Sequence, residues 1–235
     1  MIALITPTGG RPKQIELCSK WMKYQDYSGE VLWVIVDDCD PVSTDFLDDS
    51  FRVNWKIKKV HPKPSWNVGQ NTQCRNILAA IDVVKSYKPI NTFIIEDDDY
   101  YKPCYLTEMM KRVHGFDVIG ERFTIYYNVV SRGWRRNGNR DHASLFQTAV
   151  SMYGLEAMRK ICEKKAKFID LYLFRNFVNK YRINMFDGLD LSIGIKGLPG
   201  RPGIGIGHKQ KFLLNPDPDF TMLKKWIGDD YIYYL

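Results

Sequence analysis

The stretch FIIEDDDYYKP, residues 93–103, determines how the rest of the chain is interpreted. Three apolar residues, a pattern typical of a buried strand, run directly into four consecutive acids. Like charges side by side repel one another, so this cluster needs either open water or a bound cation. A hard divalent cation prefers oxygen ligands. An exposed acidic turn is the alternative, but acids that directly follow a buried strand favour a cation site.

The sequence before this stretch alternates between strand and helix patterns. Buried strands are predicted at residues 2–8, 31–38 and 56–60, and apolar residues have helical spacing at residues 14–25 and 69–87. This alternation predicts an α/β fold with an open, mostly parallel sheet flanked by helices. Ligands of such sheets lie at the carboxyl ends of the strands, where the sequence places TPTGG, DD and EDDD.

The second half of the chain is less regular. Helices are predicted at residues 105–115 and 155–168, and strands within residues 122–130 and 142–154. Residues 194–212 are rich in glycine and proline, which predicts a loop with close backbone approach. We find no internal repeat and no clear linker, so we expect one domain.

Composition limits the class of protein. Of the 235 residues, 45% are hydrophobic and 14% aromatic, enough for a sizeable core. No apolar run is long enough to cross a bilayer, and the N-terminus lacks the features of a signal peptide, so we expect no membrane partner. Five scattered cysteines without a CxxC pair favour a reducing, cytoplasmic setting and argue against structural zinc.

The formal charge of +7 is unevenly distributed. Residues 159–182 hold eight basic residues against two acidic ones, and SRGWRRNGNRDH, residues 131–142, adds four arginines. A basic face favours a polyanionic partner. A solvated helix face explains residues 159–182 equally well.

The motifs at the predicted strand ends resemble those of GT-A fold glycosyltransferases, the class that uses nucleotide sugars and contains a DxD motif. Within this class they resemble glycosyltransferase family 2. LITPTGGRP (4–12) resembles the first strand and loop that meet the nucleotide, and VIVDD (34–38) the second strand, whose terminal acid contacts the base or ribose. NVGQNTQCRN (67–76) resembles the NxGxxxARN helix start. FIIEDDDYYKP resembles the DxD element, with a proline five residues after the metal-binding acid.

Two later motifs extend the resemblance. FDGLDLSI (186–193) resembles the acidic motif that supplies the catalytic base, which leaves Asp187 and Asp190 as alternatives. GIGH (205–208) resembles the late histidine that joins the metal, here His208.

The resemblance implies a site for Mn²⁺ or Mg²⁺. The principal ligand would be Asp98, joined by Asp99 and His208, although the four-acid run leaves the register open by one residue. The contacts that it implies for the nucleotide sugar are Thr6, Pro7, Thr8, Arg11, Asp37, Asp38, Arg75, Glu96 and Asp97.

The implied activity is metal-dependent transfer of a sugar from a nucleoside-diphosphate sugar, a UDP-sugar first among them, to an acceptor hydroxyl. One GT-A-like domain would span residues 1–235, with the donor bound by residues 1–103 and the acceptor and base in residues 104–235. Arg11 and Arg75 would help to stabilise the leaving diphosphate. If the transfer inverts, a carboxylate must take the proton of the acceptor.

The arginine-rich stretch offers an acceptor hypothesis. Its candidate residues are Arg132, Trp134, Arg135 and Arg136, with the tryptophan expected to be exposed. Arginines beside an aromatic grip phosphates and stack on a base, so DNA with a hydroxymethylated pyrimidine is a candidate, its base exposed or flipped. The arginines could instead bind the diphosphate or coat a lid.

Other functions also fit the sequence. The acceptor could be a glycan or a protein. A nucleotidyltransferase also uses a metal and acids on an α/β sheet. A basic nucleic-acid-binding module without catalysis would explain the charge, but not the glycosyltransferase-like loops.

Overall fold

The computed structural model describes residues 1–48, 50–175, 180–201, 203, 208 and 215–235. Its strands are β1 Ile2–Thr8, β2 Val31–Asp37, β3 Trp55–Val60, β4 Thr92–Ile94, β5 Tyr100–Tyr101, β6 Val118–Glu121, β7 Phe123–Asn128, β8 Gly133–Gly138, β9 Thr148–Val150, β10 Ile183–Phe186, β11 Ser192–Lys196 and β12 Asn215–Pro216. Its α-helices are α1 Pro12–Lys23, α2 Gln73–Tyr87, α3 Tyr105–Met110, α4 Met152–Glu163, α5 Ile169–Arg175 and α6 Thr221–Ile227. Short 3₁₀ helices span Leu145–Gln147 and Gly228–Tyr234.

The main sheet has seven strands in the order β10-β6-β9-β4-β1-β2-β3. Strand β1 is parallel to both β2 and β4, β2 to β3, and β6 to β10, whereas β9 lies antiparallel between β4 and β6. Helices flank the sheet, which confirms the predicted α/β fold with a mostly parallel sheet. The carboxyl ends of β1, β2 and β4 therefore meet at one edge, where a ligand is expected.

Burial explains the strand patterns. All of β2 and nearly all of β1 are buried, as expected for central parallel strands covered on both faces. Strand β3 lies at the end of the sheet, and its sequence alternates instead: Trp55 and Ile57 are buried, whereas Lys56 and Lys59 are exposed.

A second, five-stranded sheet has the order β12-β8-β7-β11-β5. It corrects the loop predicted at residues 194–212, because Gly194 and Lys196 lie within β11. A Cβ at Gly194 would stand 2.6 Å from the ring of Tyr126 on β7, so close packing between strands explains this glycine. Residues 202, 204–207 and 209–212 of the predicted loop lie outside the described residues.

The helix predicted at residues 155–168 begins earlier and ends earlier than predicted. Helix α4 begins at Met152, where the Ser151 hydroxyl accepts the N–H groups of Tyr153 and Gly154, and it ends at Glu163. A turn with Lys165 in the left-handed region follows, and then α5. Two other helix predictions were too long, since α2 begins only at residue 73 and α3 ends at residue 110, whereas α1 is shifted by two residues from its predicted bounds. Within the described residues, no helix is long and apolar enough to span a membrane.

Candidate functional site

A cleft opens at the carboxyl ends of β1 and β4. Its walls come from the loop after β1, the start of α2, the acids after β4, the 3₁₀ turn at Leu145–Gln147, and the start of α5. Tyr126 of β7 and Lys196 of β11 line it from the second sheet. The two sheets therefore meet at the sheet edge where the sequence predicts a ligand.

The acidic cluster, defined as Glu96, Asp97, Asp98 and Asp99, follows β4. The first three acids line the cleft, whereas Asp99 is not among the residues that line it. One carboxylate oxygen from each of Glu96, Asp98 and Asp99 can be chosen so that all three lie within 4.8 Å of one another. Such a group of oxygens could hold a metal ion.

Lys196 holds two members of the acidic cluster. Its buried ammonium donates to Asp98 Oδ2 at 3.0 Å and to Asp99 Oδ1 at 2.6 Å. Burial alone would lower the pKa of Lys196, but the charges of Asp98 and Asp99 raise it above its ordinary value. The sequence interpretation missed this lysine, although a lysine that ends the apolar run SIGI is an available signal.

Thr8 and Arg11, two of the residues predicted to contact the nucleotide sugar, bind Asp97 of the acidic cluster. The Thr8 hydroxyl donates to Asp97 Oδ2 at 2.6 Å, and Arg11 Nη1 donates to Asp97 Oδ1 at 2.7 Å. Arg11 also lines the cleft, so its guanidinium is both an internal counter-charge and a candidate ligand contact. Pro7 lines the cleft beside them.

Burial makes the ionised form of these acids costly, and three of them have raised pKa values. Burial raises the pKa of Glu96 to about 7, and it also raises those of Asp97 and Asp99. Burial would raise that of Asp98 too, but Lys196 and then Arg11 lower it to about 2. Asp98 is therefore the most acidic member of the cluster.

The cluster fits one divalent cation. Its four carboxylates face the two basic groups of Arg11 and Lys196, which leaves a formal charge of −2. Asp99 Oδ2 is buried without a hydrogen-bond partner among the described groups. His208 Nε2 lies 3.6 Å from Asp98 Oδ2, and burial lowers the pKa of this histidine to about 4, so its imidazole is neutral, as a metal ligand must be. The rest of the GIGH motif, residues 205–207, lies outside the described part of the chain.

Asp38 is enclosed in a network of its own. Its side chain is fully buried and accepts hydrogen bonds from Thr72, from Asn76 Nδ2 at 2.8 Å, from Arg75 Nη2 at 3.1 Å and from Arg201 Nη1 at 2.8 Å. Neither Asp38 nor Arg75 lines the cleft. Both residues were predicted to contact the nucleotide sugar, but in this structure their side chains bind other groups of the protein.

Two other predicted donor contacts also have internal partners. Asp37 accepts the Ser43 N–H at 2.6 Å and organises the loop after β2. Thr6 Oγ1 accepts the Trp33 indole N–H at 2.9 Å inside the sheet. Arg201, which the sequence interpretation missed, lines the cleft with its guanidinium 4.5 Å from the ring centre of Trp66.

The two predicted catalytic bases do not line the cleft. Asp187 has a side chain that is 44% exposed, 3.5 Å from Arg122 Nε. Asp190 pairs with Arg136. Their loop is held by Glu121, which accepts the N–H groups of residues 189, 190 and 191.

Asp170 is the carboxylate that lines the cleft outside the acidic cluster. It lies in the first turn of α5, and its charge contributes to the raised pKa of Glu96. Burial raises the pKa of Asp170 itself, as a proton acceptor requires. The sequence interpretation missed it because α5 was not predicted. An acid three residues after Lys167 was the available signal.

The predicted acceptor residues lie on or beside β8. The expected exposure of Trp134 is wrong, because its ring is half-buried and packs edge-on against Trp226 with 5.0 Å between ring centres. Arg132 donates to the Pro218 carbonyl at 2.9 Å, and Arg136 pairs with Asp190. Arg135 is exposed. Strand formation places the tryptophan against α6 rather than in solvent.

Comparison with solved structures finds the same fold in TarS of S. aureus. Residues 1–349 of TarS in complex with UDP match with a TM-score of 0.60 and 19% identity, covering 83% of this chain and 60% of that one. The complex with UDP-GlcNAc matches with a TM-score of 0.56 and 17% identity, covering 86% and 59%. A longer TarS structure matches at 0.59 and 18%, covering 83% and 36%. The chain thus spans 36–60% of the TarS chains it matches.

No protein-family profile and no curated protein matches this sequence. At such low identity the structural match shows the fold and no more. The chain has a GT-A-like fold, with a buried acidic cluster at the edge of the sheet where this fold is expected to bind its ligand.

Proposed function

We propose that this protein transfers a sugar from a nucleoside-diphosphate sugar to an acceptor hydroxyl. The observation that carries the proposal is the acidic cluster, which Arg11 and Lys196 neutralise only in part, at the ligand-binding edge of a GT-A-like sheet. TarS, which shares the fold, was crystallised with UDP and with UDP-GlcNAc, so a UDP-sugar is the first donor to test.

Asp98, with Glu96 and His208, would hold Mn²⁺ or Mg²⁺. When bound, the cation would neutralise the diphosphate that leaves the sugar. Lys196 keeps Asp98 and Asp99 in place. Arg11 presents a guanidinium to the cleft, and this charge favours the same diphosphate.

We propose Asp170 as the general base of an inverting transfer. An inverting transfer needs a carboxylate that can accept the proton of the acceptor hydroxyl within the cleft. Asp170 lies there with a pKa that burial raises. Asp187 and Asp190 remain alternatives, and they would require a change in the loop that Glu121 holds.

We propose a nucleic acid as the acceptor, with a hydroxymethylated pyrimidine in DNA as the first candidate. The support is the formal charge of +7 and the exposed lysines beside the cleft. A glycan or a protein acceptor is the alternative.

Donor hydrolysis tests the function. The protein is incubated with Mn²⁺ and a panel of nucleotide sugars, with and without hydroxymethylated DNA, and the free nucleoside diphosphate is assayed. We expect release from one donor, loss of release in Asp98→Asn, and full release in Asp229→Asn, whose carboxylate is exposed. Pyrophosphate as the product would instead identify a nucleotidyltransferase. Release that DNA does not stimulate would contradict the acceptor.

A further inference from the structure

The connection between α4 and α5 carries positive charge that the described residues leave unpaired. We define residues 164–172 as the basic turn. Lys164, Lys165 and Lys167 are exposed, and none has an ion-pair partner in the described part of the chain. Lys167 also lines the cleft.

Several other basic residues nearby are already paired. Their ion pairs are Arg159 with Asp82, Arg175 with Asp141, Arg182 with Asp117, and Lys85 with Glu156. Of the described basic residues in 159–182, five have no ion pair, and three of these lie in the basic turn; the other two are Lys160 and Lys180. Lys167 brings this charge to the cleft.

Two exposed aromatic side chains accompany these lysines. Phe168 lines the cleft with 38% of its surface exposed, and Tyr172 is 47% exposed. The two are four residues apart across the start of α5, a spacing that places side chains on one face of a helix. The Lys167 ammonium lies 5.4 Å from the ring centre of Phe168. A cationic and aromatic surface thus continues into the cleft beside Asp170.

The backbone of the basic turn is held in place by the core. The Cys74 thiol of α2 donates to the Ala166 carbonyl at 3.2 Å. The Lys165 N–H donates to the Cys162 carbonyl at 2.9 Å. A preformed surface loses less conformational entropy when it binds a partner.

We propose that the basic turn docks a single-stranded nucleic acid, with phosphates on Lys164, Lys165 and Lys167 and an unpaired base on Phe168. A nucleic-acid strand combines a repeating phosphate charge with flat bases, which is the chemistry that interleaved lysines and exposed aromatics bind. A base inside a duplex could not enter the cleft, so the strand must be single or the base extruded. The inference deepens the proposed acceptor, but docking needs neither donor nor metal.

Fluorescence anisotropy with a labelled single-stranded deoxyoligonucleotide, in EDTA and without donor, tests the docking. Replacing the three lysines by glutamine (K164Q, K165Q and K167Q together) should weaken binding at least about tenfold at low salt, and should reduce the slope of log affinity against log salt by roughly two. Phe168→Ala should weaken binding about fivefold or more and leave that slope unchanged.

The matched control removes the same charge elsewhere, with K23Q, K59Q and K225Q together, all at exposed lysines. It should bind as the wild type does. Equal weakening in the two triple variants would overturn the proposal, because net charge alone would then explain binding. Tighter binding of the duplex or of heparin would overturn it as well. Docking without any donor hydrolysis would overturn only the proposed function.

Discussion

The acidic cluster and the basic turn hold similar amounts of charge in opposite environments. Glu96, Asp97, Asp98 and Asp99 lie in or beside the interior, and Arg11 and Lys196 partly neutralise them. The lysines of the basic turn are exposed, and no described residue pairs with them. Burying a charge costs several kcal/mol unless it is compensated, whereas exposed charges are screened by water and salt. Buried charge here therefore points to a cation site, and exposed charge to a partner.

The largest expected effect distinguishes the base proposed within the cleft, Asp170, from the carboxylates outside it. Asp170→Asn should slow sugar transfer about 100-fold to 10,000-fold, because the acceptor proton would have no base. Asp187→Asn and Asp190→Asn should retain transfer within about tenfold. Single-turnover rates with saturating donor and acceptor measure this directly. A larger loss in Asp187→Asn or Asp190→Asn would contradict Asp170 as the base and assign that role to the loop at residues 187–190.

The second prediction compares a buried ion pair with a surface one. Lys196→Met should lower the free energy of unfolding by about 3–5 kcal/mol, because it leaves Asp98 and Asp99 buried without their counter-charge. Lys85→Met breaks the exposed pair with Glu156 and should cost no more than about 1 kcal/mol. Urea unfolding followed by tryptophan fluorescence gives both values. Similar losses of unfolding free energy in the two variants would show that burial does not make the Lys196 ion pairs contribute more to stability than the exposed pair.

The smallest expected effect is a pH dependence within the acidic cluster. The pKa of Glu96 is about 7 in the folded protein, above its ordinary value of 4.5, so the folded state retains a proton that the unfolded state has lost. The contribution of Glu96 to stability should therefore decrease as pH rises from about 4.5 to about 7, and change little above that. Glu96→Gln should remove this decrease, as measured by urea unfolding in EDTA at several pH values.

Adding Mn²⁺ is the control for this prediction. A bound cation would compensate the carboxylates in place of the proton, so the wild type should then lose less stability as pH rises. Parallel pH profiles for the wild type and Glu96→Gln in EDTA would contradict the assignment to Glu96.

Local patterns in the sequence were enough to predict the central sheet and the edge of it at which a ligand is expected to bind. Continuous apolar runs specify β1 and β2 because parallel central strands are buried on both faces. The acids after β4 mark its carboxyl end. These features depend on neighbours within a few residues, so one sequence is enough to predict them.

Tertiary structure alone decided which side chains share the site. Lys196 reaches Asp98 across 98 residues of sequence, and Asp170 lines the cleft from the first turn of α5, which follows the turn after α4. Packing against Trp226 buries the ring of Trp134, which looked exposed in sequence. Such contacts join segments that are far apart in the chain, and their energies come from burial and charge compensation in the folded state, which no local pattern records.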